Sequence, residues 1–118
     1  MIKREAIIQA EVRIALSPHG IVFRTNAGDF WQGTVVYSKE FKQNVLINMR
    51  RVHGLPDGFS DLLHVGEGYV AFVETKTATG RTTPEQDNFI DLMKRHGHRA
   101  GVARSVEDAL RIIKGESV

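Results

Sequence analysis

No cysteine occurs among the 118 residues. That absence excludes disulfide frameworks, zinc–thiolate sites, iron–sulfur clusters and thiol nucleophiles. Proline is sparse, at three residues, and no repeat, low-complexity tract or linker-like shift in composition breaks the chain. No apolar run approaches the roughly 18 residues that a membrane-crossing helix needs. The start, Met1-Ile2-Lys3-Arg4-Glu5, lacks the apolar stretch and cleavage site of a signal peptide. Neither sign of charge dominates: sixteen Lys and Arg face fourteen Asp and Glu, for a net +2. Such a balance tolerates a nucleic-acid partner without pointing to one. What is present is ordinary for a folded domain, with 42% apolar and 25% charged residues. The expectation is one domain over residues 1–118, soluble and cytoplasmic.

Periodicity orders the elements. Lys3 to Leu16 reads as a helix with Ile7, Ile8, Val12, Ile14, Ala15 and Leu16 apolar, stopped by Ser17-Pro18 and Gly20. Strand-like runs follow at Ile21–Arg24, Phe30–Tyr37 and Val45–Met49, then at Asp61–Val65 and Tyr69–Lys76 around a Gly66-Glu67-Gly68 turn. Thr83-Pro84-Glu85-Gln86 opens a helix to Arg95, with Thr as N-cap, Pro at the first position and Gln in capping-box position. Ala100–Arg104 is a short strand, and Ser105 caps a last helix through Lys114. This order predicts an α/β domain, a mixed β-sheet flanked by helices, with the Thr83–Arg95 helix crossing between parallel strands.

Several polar residues break the apolar pattern. In Tyr69–Lys76 the side chains of Val70, Phe72, Glu74 and Lys76 share one face. Glu74 and Lys76 stand about 6.7 Å apart along the strand, and burying both requires a partner or a ligand. Asp61 starts the partner strand and comes close to Glu74 across the hairpin, and two adjacent carboxylates call for a cation between them. Glu11 lies between Ile7, Ile8, Ile14 and Ala15 on the first helix, where a leucine would be ordinary. For each of these, a solvated strand end or helix edge is an equally good account. Gln86 leans toward Phe89 and Ile90, although capping alone suffices to explain it. Oxygen ligands without thiolate suit Mg²⁺ or Mn²⁺, and such an ion activates water toward a phosphodiester. His96-Gly97-His98 lacks a third ligand at set spacing and reads as an exposed turn. Trp31 reads as a core or subunit-interface residue, with stacking on bases as the alternative.

Gly58-Phe59-Ser60-Asp61-Leu62-Leu63, then Glu74-Thr75-Lys76 thirteen residues after Asp61, then Gly80 and Thr83-Pro84-Glu85-Gln86, resembles the PD-(D/E)XK nuclease core. More narrowly it resembles the short, stand-alone, phage-type members of the VRR-NUC (virus-type replication-repair nuclease) family. Gly101 to Ala109 is similar to that family's last strand and helix. The resemblance implies a restriction-endonuclease-like fold and a metal-dependent DNA endonuclease, structure-selective in the manner of a Holliday-junction resolvase. It implies phage replication, recombination or repair as the setting. It implies Asp61 and Glu74 as metal ligands, Glu11 within or behind the metal shell, and Thr75 as a ligand through its backbone carbonyl. Lys76 and Gln86 are implied as catalytic residues, Mg²⁺ or Mn²⁺ as cofactor, branched DNA as partner and a homodimer as assembly. Ser60 stands where many members have Pro. The upstream pair Pro56-Asp57 offers a second candidate ligand, although Asp57 lies in a Pro/Gly turn and Asp61 begins an apolar strand. A nuclease-fold module that binds DNA without cutting, or a flap or restriction-like endonuclease of the same chemistry, are the rival readings.

Overall fold

A computed structural model describes residues 3–118, so the reading of Met1-Ile2 lies outside the described residues. Along the chain run α1 (Glu5–Leu16), a 3-10 turn (Ser17–His19), β1 (Ile21–Arg24), β2 (Asp29–Ser38), β3 (Gln43–His53), β4 (Leu62–Gly66), β5 (Tyr69–Thr75), α2 (Pro84–Arg95), β6 (Arg99–Ala103) and α3 (Val106–Ile113). Four strands form a mixed sheet in the order β1-β4-β5-β6. β1–β4 and β4–β5 are antiparallel and β5–β6 is parallel, with α2 as the crossover the sequence predicts.

Alternation along β5 divides the core in two. Ala71 and Val73 turn toward one face, where Ile8, Val12 and Leu16 of α1 and Ala109, Ile112 and Ile113 of α3 cover them. Phe72 turns to the other, against Ile90 and Ala100, with Phe59, Phe89 and Met93 packed around them. Phe72 meets Phe59 and Phe89 edge-on at 5.7 and 5.4 Å between ring centres. Helices therefore cover both faces, and each fully buried Leu or Ile contributes about 1.5–3 kcal/mol of burial. His98 packs its ring edge against Phe72 in the turn after α2.

β2 and β3 depart from the expected single sheet. Among the described residues they pair only with each other, in register from Asp29↔His53 to Ser38↔Gln43, as a separate two-stranded arm. A bulge opposite Gly33, where Asn48 takes a left-handed φ of 51°, splits the arm into a root and a tip. The arm is inserted between β1 and β4, its root held by Gly28 N–H to Leu55 O and Gly54 N–H to Gly28 O. Trp31, expected in a core or at an interface, stands 61% exposed on it. The radius of gyration is 17.0 Å, with extents of 54 × 35 × 28 Å. A compact chain of this length would give roughly 13.5 Å.

Candidate metal centre

The neighbourhood of Asp61 follows from the turn before β4. Gly58 has φ 89°, and a Cβ there would overlap the Glu85 carbonyl at the start of α2. Only glycine lets the turn lie this close to the helix. Ser60 and Asp61 then lead into β4, with Thr25 N–H on the Asp61 carbonyl at 2.8 Å and the Thr25 hydroxyl on the Ser60 carbonyl. The Ser60 hydroxyl is fully buried and has no hydrogen-bond partner among the described residues.

Leu62 pairs with Val73, which brings Asp61 beside Glu74. The Asp61 N–H donates to Glu74 Oε2 at 3.2 Å, while Asp61 Oδ2 accepts from the Thr75 N–H at 3.1 Å and the Thr75 hydroxyl at 2.7 Å. Glu74 is 1% exposed. Its Oε1 accepts from Gln86 Nε2 at 3.0 Å and lies 3.9 Å from the Lys76 ammonium. Lys76 keeps 13% of its side chain exposed, an opening toward solvent.

Gln86 performs both tasks that the sequence left open. Its Oε1 accepts from the Thr83 N–H and its backbone N–H donates to the Thr83 hydroxyl, completing the capping box. The amide nitrogen of the same side chain holds Glu74. A capped helix start therefore fixes a carboxylate on the sheet.

The third acidic residue differs from expectation. Glu5, Asp61 and Glu74 each offer an oxygen within 4.8 Å of the others. Glu11 is not among them: it pairs with Lys3 at 2.9 Å, with 40% of its side chain exposed. The buried row of α1 is Ile8, Val12 and Leu16, whereas Ile7 and Ile14 stand in solvent. Glu11 is thus outside the stripe, and Glu5 continues the row one step toward the N-terminus at i−3 from Ile8. That spacing was the available signal for Glu5. Gln9, one turn after Glu5, also faces the sheet; its amide reaches the Thr75 hydroxyl at 3.5 Å. Thr75 is fully buried with its hydroxyl committed to Asp61. Asp57 is exposed in its turn and outside the cluster.

The donor set fits a hard divalent cation. Three carboxylates supply only oxygen ligands, and their charge is under-compensated. Burial first, and the charge of Asp61 second, push the Glu74 carboxyl up to about 8, against a smaller opposing effect of Lys76. A cation would relieve both causes.

A family model described as the VRR-NUC domain matches residues 3–107, from the start of α1 through the opening of α3. The chain belongs to the VRR-NUC family. With that membership come a nuclease-type function and a DNA substrate, and the mixed α/β architecture is consistent with the VRR-NUC fold. Among curated proteins no relative matches the chain. No helix among the described residues of this VRR-NUC domain is long and apolar enough to cross a membrane.

Proposed function

We propose that this VRR-NUC domain is a divalent-metal-dependent endonuclease that hydrolyses phosphodiester bonds in branched DNA, four-way junctions first among them, as a homodimer with two sites. One observation carries the chemistry: three carboxylates from α1, the β4 start and β5 converge at one end of the sheet, with a lysine ammonium beside them. Glu5, Asp61 and Glu74 are the residues that would hold Mg²⁺ or Mn²⁺, joined by the Thr75 backbone carbonyl. An ion bound there supplies Lewis acidity, polarising the phosphodiester.

The chain's own residues set the geometry. Thr75 locks Asp61 through two hydrogen bonds, and Gln86 together with the Asp61 N–H orients Glu74. Both carboxylates are thereby preorganised, so little reorganisation accompanies reaction. Lys76 reaches the site with its stem buried. Its ammonium holds the attacking water or offsets negative charge developing on the phosphate. Hydrolysis forms a bond from water oxygen to phosphorus, breaks the bond to the bridging oxygen, and leaves a proton on the departing hydroxyl. The junction preference and the phage repair setting rest on the family likeness.

Cleavage of a panel of four-way, flap, fork, nicked and duplex substrates with Mg²⁺ and Mn²⁺ tests this. Products should require the ion, appear first on the four-way substrate and vanish in Glu74→Ala and Lys76→Ala variants that keep their far-UV spectrum. Cleavage surviving both substitutions overturns the assignment, and junction binding without products supports a non-cutting module instead.

A further inference from the structure

We infer that Arg104 is a positioning residue for phosphodiester cleavage: its guanidinium clamps the turn that follows Lys76 and, through that turn, keeps the lysine ammonium beside Glu74. The inference rests on the nuclease reading above and adds to it a residue from outside the acidic cluster.

The segment that needs holding is Thr77-Ala78-Thr79-Gly80-Arg81-Thr82. It joins the end of β5 to the cap of α2, so Lys76 stands immediately before it and Thr83, whose capping box Gln86 completes, immediately after. Movement of this segment would displace both side chains that approach Glu74 Oε1. Its own bonds do little to prevent that. Among the described residues, one backbone bond closes it, Gly80 N–H to Thr77 O at 3.2 Å. The Thr82 hydroxyl tethers its far end to Asp87 Oδ1 at 2.6 Å. Ala78 and Thr79, at the tip, are exposed. A polar segment with few buried contacts opens easily unless something ties it down.

Arg104 supplies the tie. Its Nη1 donates to the Thr77 carbonyl at 2.5 Å and to the Gly80 carbonyl at 2.6 Å, the first and last residues of the turn. Bonds from a charged donor are shorter and stronger than neutral ones. Among the described residues no carboxylate pairs with this arginine, so its charge is spent on backbone carbonyls. The arginine is itself aimed from two sides. The parallel register Thr75↔Ala103, continued by Lys76 N–H to Ala103 O at 3.1 Å, brings Arg104 alongside Lys76. Its own N–H donates to Asp108 Oδ2 at 3.0 Å, in the first turn of α3, where the Ser105 hydroxyl accepts from the Asp108 N–H at 3.1 Å.

The turn in turn governs the lysine. A Cβ at Gly80 would stand 3.6 Å from Lys76 Cδ, so the turn is the wall along which the lysine stem lies. That stem has several rotatable bonds and much freedom to lose. A fixed wall removes the arrangements in which the ammonium leaves Glu74 Oε1, 3.9 Å away. Arg104 thus acts on the rate through Lys76, with its donors turned to the protein and not to a phosphate.

Arg104→Met, which keeps the stem and removes the donors, tests the inference in the full chain. Steady-state cleavage of the four-way substrate should show kcat lower by roughly 10–100-fold, the scale of a misplaced catalytic group. KM and its salt dependence should stay as in the natural chain. Arg104→Lys should recover part of the lost kcat, since an ammonium can also donate to two carbonyls. A raised KM with a flatter salt dependence and unchanged kcat makes Arg104 a phosphate contact and overturns the inference, and so does a variant with natural kcat. A second readout does not depend on cleavage. With lysines labelled at Cε, the two Hε signals of Lys76 should be distinct in the natural chain and merge in Arg104→Met. Signals that do not change overturn the clamp. A natural chain that cuts nothing on the substrate panel overturns the nuclease reading, and the Lys76 signals then decide the clamp by themselves. Should Arg104→Met fail to fold, the natural chain decides: separate Nη signals from a guanidinium that does not rotate support the clamp, and averaged ones overturn it.

Discussion

Glu74 carries the strongest tension of any single residue described in the fold. It is buried, faces Asp61, and has its carboxyl pushed up to about 8. The folded state thus binds a proton more tightly than the unfolded chain, whose glutamate titrates near 4.5. The associated stability is fully present below pH 4.5 and is lost as pH rises through about 8. Without metal, the protein should be several-fold easier to unfold at pH 9 than at pH 6, as read from urea midpoints. Glu74→Gln, which mimics the protonated form, should remove most of that slope. Ion binding must displace the proton, so stabilisation by Mn²⁺ should grow over the same range. Equal slopes in the natural chain and the Gln variant would show that Glu74 is not the titrating group. Its neighbour Gln86 shows a further economy at this scale, since one amide both caps α2 and holds the carboxylate.

At the level of elements, the site depends on how α1 is rotated. A helix turns about 100° per residue, so moving the inward row by one position changes which acid meets the sheet. The row Ile8, Val12, Leu16 brings Glu5 to Asp61 and Glu74 and sends Glu11 toward Lys3. Glu5→Ala should weaken Mn²⁺ binding by about tenfold or more, the scale of one lost tenth-power step per ~1.4 kcal/mol, by calorimetric titration. Glu11→Ala should leave affinity unchanged and stability within about 0.5 kcal/mol, as for other exposed pairs. The reverse pattern would return Glu11 to the metal shell. α2 plays the complementary part on the opposite face, its first turn pressed against Gly58 and its Gln86 reaching back to β5.

For the whole molecule, the decisive division is between a body with its core on both sheet faces and an arm outside either core. Excising the tip, by joining residue 33 to residue 48 through a short turn, should leave the body's urea midpoint within about 1 kcal/mol, because loop-length changes cost little. Mn²⁺ binding should also persist. Leu62→Ala in the body should instead cost about 2–5 kcal/mol, as for other fully buried leucines. A trimmed chain that unfolds would make the arm part of the body's core. Charge also divides at this scale. With Glu5, Asp61 and Glu74 set aside as the three clustered acids, sixteen bases face eleven acids over the remainder. The small net charge thus conceals a basic excess available to DNA.

The sequence by itself determined the elements, the parallel crossover and the meeting of Asp61 with Glu74. These are local or hairpin-scale matters: period two on β5, a two-residue turn, and a Thr-Pro-Glu-Gln helix start fix them within a few residues of chain. The order Asp61, Glu74, Thr75, Lys76, Gln86 was legible for the same reason. Only the tertiary structure decided that Glu5 and not Glu11 completes the acidic cluster, because the facing side of a helix is chosen by what it packs against and two apolar rows were available on α1. Only the tertiary structure, again, separated β2 and β3 from the main sheet. Strand patterns reveal that a segment is extended, but hydrogen-bond partners are chosen in three dimensions, and these two strands chose each other.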